Sequence, residues 1–240
     1  MGTFVKTPAH AMVEVLGKTT IDFVVLDAEH APFDRHQIDI CVMAGRASGV
    51  DVLVRIPDGA PSAIQNVLDV GASGVILPRV SDPATASAAR RSSSYSARGR
   101  GYSNSPRAGG YGTVDMGPML EIEDRRATVI CQIEDTAGVD NIEALVALDD
   151  IDGFLLGRAD LSVAYGCTSI TAPRVNEAVY RVAAVCRSSG KALGIFVSGA
   201  DEVAAFIDEG MTFFVLGSDQ SAVLRYFRDA MKVIRKDNSS

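Results

Sequence analysis

The chain has 240 residues, 47% hydrophobic and 22% charged, with a formal net charge of −7. This is an ordinary globular balance, and the absence of a long basic run argues against nucleic acid or an anionic membrane as partner. No apolar run is long enough to span a bilayer, no stretch reads as a secretory signal, and Cys41, Cys131, Cys167 and Cys186 are widely spaced without a CxxC pair, so a cytoplasmic protein with reduced thiols is expected.

Residues 2–6 read as a first short strand and residues 9–16 as a helix stopped by Gly17. Residues 22–27 form a second apolar strand, and residues 34–48 a helix closed by Gly49. Strands at 52–57 and 74–78 follow, separated by a helix over 61–70; Asp82-Pro83 then opens another helix with an N-cap and a proline in its first turn. The rhythm breaks over residues 92–112, rich in Ser, Gly and Arg, which are read as an irregular loop over the active-site mouth, with a plain mobile surface loop as the alternative. It resumes with strands at 128–134, 153–156, 192–197 and 213–217 and helices at 139–148, 173–189, 200–209 and 221–235. Eight strand–helix units in a chain of this length predict a single-domain (β/α)₈ barrel over residues 1–240, with a doubly wound open sheet as the alternative.

Candidate functional residues are those that fall at strand carboxyl ends, where barrels of this type build their sites. Asp27, Glu29 and His30 arrive within four residues as the second strand ends, where unpaired burial would be costly. Arg55 ends the third strand. Gln132 and Glu134 stand two apart in the fifth and so share a face. Asp160 lies in the loop after the sixth.

Glu134 and Asp160 are metal-ligand candidates, and carboxylates without neighbouring thiols or imidazoles favour a hard divalent ion. Singly, Glu134 could equally be an ion-pair partner and Asp160 a helix N-cap. With three histidines in the chain, a multi-histidine site is nearly excluded. His30 suits a general base, with Asp27 placed to orient its ring. His10 and His36 read as surface or packing residues. Arg55 suits an enolate or carboxylate oxygen, or else an ion pair with Asp27 or Glu29.

The series Asp27-Ala28-Glu29-His30-Ala31-Pro32, Val54-Arg55, Leu68-Asp69, Gln132-Ile133-Glu134 and Gly157-Arg158-Ala159-Asp160-Leu161-Ser162 resembles, in order and interval, the motifs of the HpcH/HpaI aldolases. These are class II pyruvate aldolases of 4-hydroxy-2-oxo acids. The resemblance implies a divalent metal (Mg²⁺, Mn²⁺ or Co²⁺) on Glu134 and Asp160 and substrate contacts from Gln132, Ala159 and Asp160. His30 would be the base with Asp27 beside it, Asp69 the carboxylate raising the basicity of that histidine, and Arg55 the enolate-stabilising residue. It also implies a homohexamer whose last helix packs on a neighbouring subunit, acting on a small 2-oxo acid and an aldehyde.

Three features depart from the family pattern. Arg158 replaces the usual proline and would add a charge beside the metal loop. The segment after Arg100-Gly101 diverges, which opens the question of the acceptor. The family's usual N-terminal arm is expected to be missing. Competing expectations are citrate-synthase-like or CoA-ester lyase chemistry on the same site, a Schiff-base aldolase using Lys6, and a non-catalytic binding barrel.

Overall fold

The computed structural model describes residues 1–237. Eight parallel strands close into a barrel in sequence order: β1 (Gly2–Val5), β2 (Phe23–Asp27), β3 (Asp51–Arg55), β4 (Gly74–Leu77), β5 (Thr128–Ile133), β6 (Gly153–Leu156), β7 (Ala192–Val197) and β8 (Phe213–Ser218). β1 pairs with both β2 and β8, so no edge is left open. The (β/α)₈ expectation holds.

The strands are apolar on both faces because each face is covered. Phe4, Val25, Leu53, Ile76, Ile130 and Leu155 fill the barrel interior, while the alternate residues pack outward under the helices. The rings of Phe23 and Phe213 meet edge-to-face at 6.5 Å, low in the barrel. Gly194 is required there, since a β-carbon on it would lie 2.1 Å from the Phe213 ring.

The outer layer comprises α1 (His10–Leu16), α2 (Arg35–Ser48), α3 (Pro61–Asp69), α4 (Pro83–Ser93), α5 (Met116–Arg126), α6 (Thr136–Asp140), α7 (Ile142–Val146), α8 (Arg158–Ala164), α9 (Pro173–Ser189), α10 (Val203–Asp208) and α11 (Asp219–Asp237). Asp34 caps α2 with a full capping box, and Gly49 ends it in the left-handed conformation at φ +74°.

Three sequence expectations are corrected. Residues 92–112 do not roof the mouth of their own barrel. α4 descends from the carboxyl end of β4, so the segment that follows lies away from it. Its bonds go to the outer helices: Arg107 to Asp39, the Gly101 amide to Gln65, and Arg100 to Asp69 and Glu123. It also holds a 3₁₀ turn at Arg107–Gly112 and leads into α5, a helix the sequence reading did not separate. The helix expected over 139–148 is two short ones hinged at Asn141. Residues after Gly157 form a helix, α8, rather than a loop.

The last helix behaves unlike the others. Its first residue, Asp219, is buried and accepts the Lys6 and Thr7 amides at 2.9 and 3.0 Å, locking α11 to the end of β1. Beyond that turn, Leu224, Tyr226, Phe227, Val233 and Ile234 are all more than half exposed.

Candidate active site

The carboxyl ends of β2 to β5 and the start of α8 bring together most of the sequence-predicted residues. Asp27 ends β2 fully buried. Its carboxylate takes a bidentate pair from Arg55, Nε to Oδ1 at 3.0 Å and Nη2 to Oδ2 at 2.7 Å. The adjacent register of β2 and β3 makes this pairing local, because Asp27 and Arg55 are direct cross-strand partners. The His30 amide and the Lys6 ammonium also bind Asp27, at 3.1 and 3.3 Å. Burial pushes the Asp27 carboxyl up, but the Arg55 fork, the His30 amide and Lys6 together hold it below the usual carboxylate range.

One expectation fails here, and a second is not met within the single chain. Asp27 does not orient the His30 ring, because its oxygens are occupied by Arg55, Lys6 and a backbone amide. The carboxylate nearest the imidazole is Glu29, whose Oε2 lies 3.7 Å from His30 Nε2. Nor does Asp69 reach His30 within the chain. It sits at the far end of α3, where the buried Arg100 binds it at 3.1 Å. The anticipated ion pair of Arg55 is present, yet Nη1 of that guanidinium donates to no protein acceptor among the described residues. The same group lies 4.6 Å over the Phe4 ring, so it is rigid. Lys6 is drawn to Asp27, which uses its charge in an ion pair.

On the other side of the mouth, Glu134 follows β5 and is 4% exposed. Its Oε1 accepts the Arg79 amide at 2.8 Å and its Oε2 accepts from Gln132 Nε2. Burial pushes the Glu134 carboxyl up to about 7; the Arg79 amide opposes this, Asp160 and Glu29 add to it, and Arg55 opposes it more weakly. The floor beside Glu134 is cleared by Gly157, where a β-carbon would lie 2.8 Å from Glu134 Oε2 and 2.9 Å from Gln132 Nε2. Asp160 and Ala159 are exposed in the first turn of α8. Gly157, not Asp160, occupies the N-cap position, so the capping role open to Asp160 is not the one it has.

Arg158 does not add a charge to the mouth. It is buried and turned toward β7, donating to Phe196 O at 3.0 Å and to Glu202, with its guanidinium 5.0 Å over the Phe206 ring. His10 and His36 are exposed, as expected.

The fit to a cation can be judged from these groups. Two buried oxygens, Glu29 Oε2 and Gln132 Oε1, have no hydrogen-bond partner. Glu134 is buried beside two further carboxylates that oppose its ionisation. Such a set is satisfied by a hard divalent cation and its bound oxygens. Among the described residues, no three His, Cys, Asp or Glu side chains group closely enough to hold a metal alone, so water or substrate would complete the coordination of Glu134 and Asp160.

The sequence reading missed Arg79. It stands at the end of β4 with a left-handed backbone, φ +53°, and its guanidinium lies 3.6 Å from Glu29 Oε1. The signal existed, since it is a cation directly after an apolar strand, the criterion that selected Arg55.

Known proteins share this fold. The family model described as HpcH/HpaI aldolase/citrate lyase matches residues 1–225. A 5-keto-4-deoxy-D-glucarate aldolase of Salmonella paratyphi C is 34% identical over 211 residues, covering 87% of this chain and 82% of that protein. A crystal structure of an HpcH/HpaI aldolase/citrate lyase family protein from Burkholderia cenocepacia superposes with a TM-score of 0.92 at 28% identity, covering 98% of this chain and 93% of the other. The citrate synthase SbnG superposes with a TM-score of 0.89 at 25% identity, covering 100% and 94%. No helix among the described residues is long and apolar enough to cross a membrane. The barrel, the strand-end residues and these matches together place the chain in the HpcH/HpaI aldolase/citrate lyase family, as a carbon–carbon lyase acting on small molecules.

Proposed function

We propose that the chain cleaves a 4-hydroxy-2-oxo acid reversibly into pyruvate, or a related 2-oxo acid, and an aldehyde, at the mouth formed by β2 to β5 and α8. The observation that carries this reading is the buried Glu134 at one rim with Arg55, next to Gln132 and Glu29 oxygens that have no hydrogen-bond partner. A divalent ion held by Glu134 and Asp160 would supply Lewis-acid polarisation of the 2-oxo acid.

The remaining work falls to the chain's own residues. His30, half-exposed with Glu29 beside it, accepts the proton of the 4-hydroxyl. The C3–C4 bond breaks, the aldehyde carbonyl forms, and the bonding pair passes into the pyruvate enolate. Arg55, fixed by Asp27 and Phe4, presents positive charge to the enolate oxygen with little reorganisation. Gln132 and the Ala159 turn bound the pocket for the 2-oxo acid. The protonated His30 then delivers its proton to C3 of the enolate, which releases pyruvate and restores the base. Reversal of the steps forms the bond.

The exposed apolar face of α11 supports the assembly implied by the motif resemblance. An apolar cavity of about 820 Å³ opens between α11 and the end of α1, lined in part by Leu16, Ile21, Leu216 and Val233. We infer that a helix of a neighbouring copy packs against this face in a homohexamer, which would shield side chains otherwise left in water.

The test is a substrate panel on chelator-treated enzyme. Pyruvate with several aldehydes should turn over after Mg²⁺, Mn²⁺ or Co²⁺ is restored, and not before. Full activity in chelator would exclude the metal reading. Turnover confined to oxo-acid acceptors or CoA thioesters would move the chain to citrate-synthase-like or CoA-ester chemistry.

A further inference from the structure

Arg79 is a cation at the mouth whose donors are largely unused. Its side chain is 65% exposed, and its one hydrogen bond runs from Nη2 to Pro57 O at 3.2 Å. Its approach to Glu29, at 3.6 Å, is an ion pair without a hydrogen bond, and Glu29 Oε2 on the other side has no hydrogen-bond partner at all. The Arg55 Nε approaches that same Oε2 at 3.5 Å. Arg55 and Arg79 therefore flank Glu29 and stand one carboxylate's width apart.

The backbone of Arg79 has an independent constraint. A non-glycine residue at φ +53° is strained, and such strain persists where surrounding structure over-determines it. Here the Arg79 amide is fixed on Glu134 Oε1. A glycine would satisfy that bond without strain, so the amide alone does not account for arginine at this position. What arginine adds is a planar fork facing the opening, suited to bidentate pairing with a carboxylate.

We propose that Arg79 selects the aldehyde half of the reaction by pairing with a carboxylate carried on the aldehyde. The assignment rests on the aldol reading of the site. With the enolate beside Arg55, a carboxylate carried on the aldehyde would meet the unused donors of Arg79 at the same rim. Phosphate is the poorer fit, because a single guanidinium satisfies two oxygens and the neighbouring cations are engaged elsewhere: Lys6 by Asp27, and Arg55 by Asp27 and, on the aldol reading, the enolate.

A different role for Arg79 would be to neutralise Glu29 and nothing more. The two roles separate by experiment. Pyruvate is condensed with glyoxylate, with glycolaldehyde and with glycolaldehyde phosphate, using metal-loaded wild type, Arg79→Gln and Arg79→Lys. The ratio of kcat/KM for glyoxylate over glycolaldehyde should fall about 10- to 100-fold in Arg79→Gln, the worth of one hydrogen bond to a charged group. Arg79→Lys should fall between. An unchanged ratio, with both aldehydes impaired alike, would overturn the assignment in favour of the Glu29 role. A selective loss with glycolaldehyde phosphate would overturn the choice of carboxylate. Exchange of the pyruvate C3 protons with solvent, measured in the wild type without any aldehyde, reports on the aldol reading separately. If that exchange is absent, the site reading fails and the assignment falls with it.

Discussion

Glu134 is held where its own charge is disfavoured, and that makes it the residue most informative about the site. Its ordinary carboxyl value is 4.5, and burial raises it to about 7 in the fold. A group raised in this way stabilises the metal-free protein below about pH 4.5, and the contribution is lost as pH rises through about 7. A bound divalent ion reverses the preference by pairing with the ionised form. Metal affinity of the wild type should therefore strengthen as pH rises from about 6 to 8. Glu134→Gln keeps an acceptor for the Arg79 amide, and Gln132 can turn its unsatisfied Oε1 toward the new amide. The variant should bind no metal and, metal-free at pH 8, melt above the wild type. Calorimetric metal titration and melting curves from pH 5 to 8 check both; parallel pH curves for the two proteins would contradict the account. At this scale the sequence showed which residues reach the mouth but not whom they bind there. Gln132 and Glu134 were legible because strand residues two apart share a face. The in-chain partners of Asp27 and Asp69, Arg55 and Arg100, were not legible because tertiary geometry selects them from among several cations.

Among the elements, strands were the most readable. Most are short apolar runs ended by glycine, proline or a charge, and their length and flanking residues separate them from buried helix segments. The helices α8 and α5 were not legible: α8 opens on Gly157 and α5 on Asp115, neither with a capping side-chain bond nor with the opening proline that marks α3 and α9. The glycine–serine–arginine segment misled for a related reason. Its composition describes flexibility of backbone, not location, and Arg100 ties it to Asp69 and Glu123 on the outer helices. α11 carries the element-scale prediction. Placing a charge on its exposed apolar face, as in Leu224→Glu with Phe227→Glu, removes apolar contact with a neighbouring subunit while leaving the Asp219 anchor intact. Sedimentation velocity should show the wild type as a hexamer and the double variant as smaller species, each still folded by circular dichroism. A monomeric wild type would refute the assembly.

For the molecule as a whole, the closed barrel follows from eight parallel strands taken in order, and closure is what turns scattered residues into one site. Asp27, Arg55 and Glu134 come from segments separated by up to 107 positions, yet each leaves its strand at the same rim. The rim carries Lys6, Arg55 and Arg79 on β1 to β4, interleaved with the carboxylates of Asp27 and Glu29, and further carboxylates at β5 and α8. On the proposed reading, an enolate would be stabilised there between a guanidinium and a metal. The most direct measurement of it is the exchange of pyruvate C3 protons for deuterium, followed by proton NMR with Mg²⁺ as the added metal. Metal-loaded wild type should exchange readily, chelator-treated enzyme should not, and His30→Ala should exchange about 10²- to 10⁴-fold more slowly. Exchange that persists at the wild-type rate in chelator, or in His30→Ala, would contradict the account.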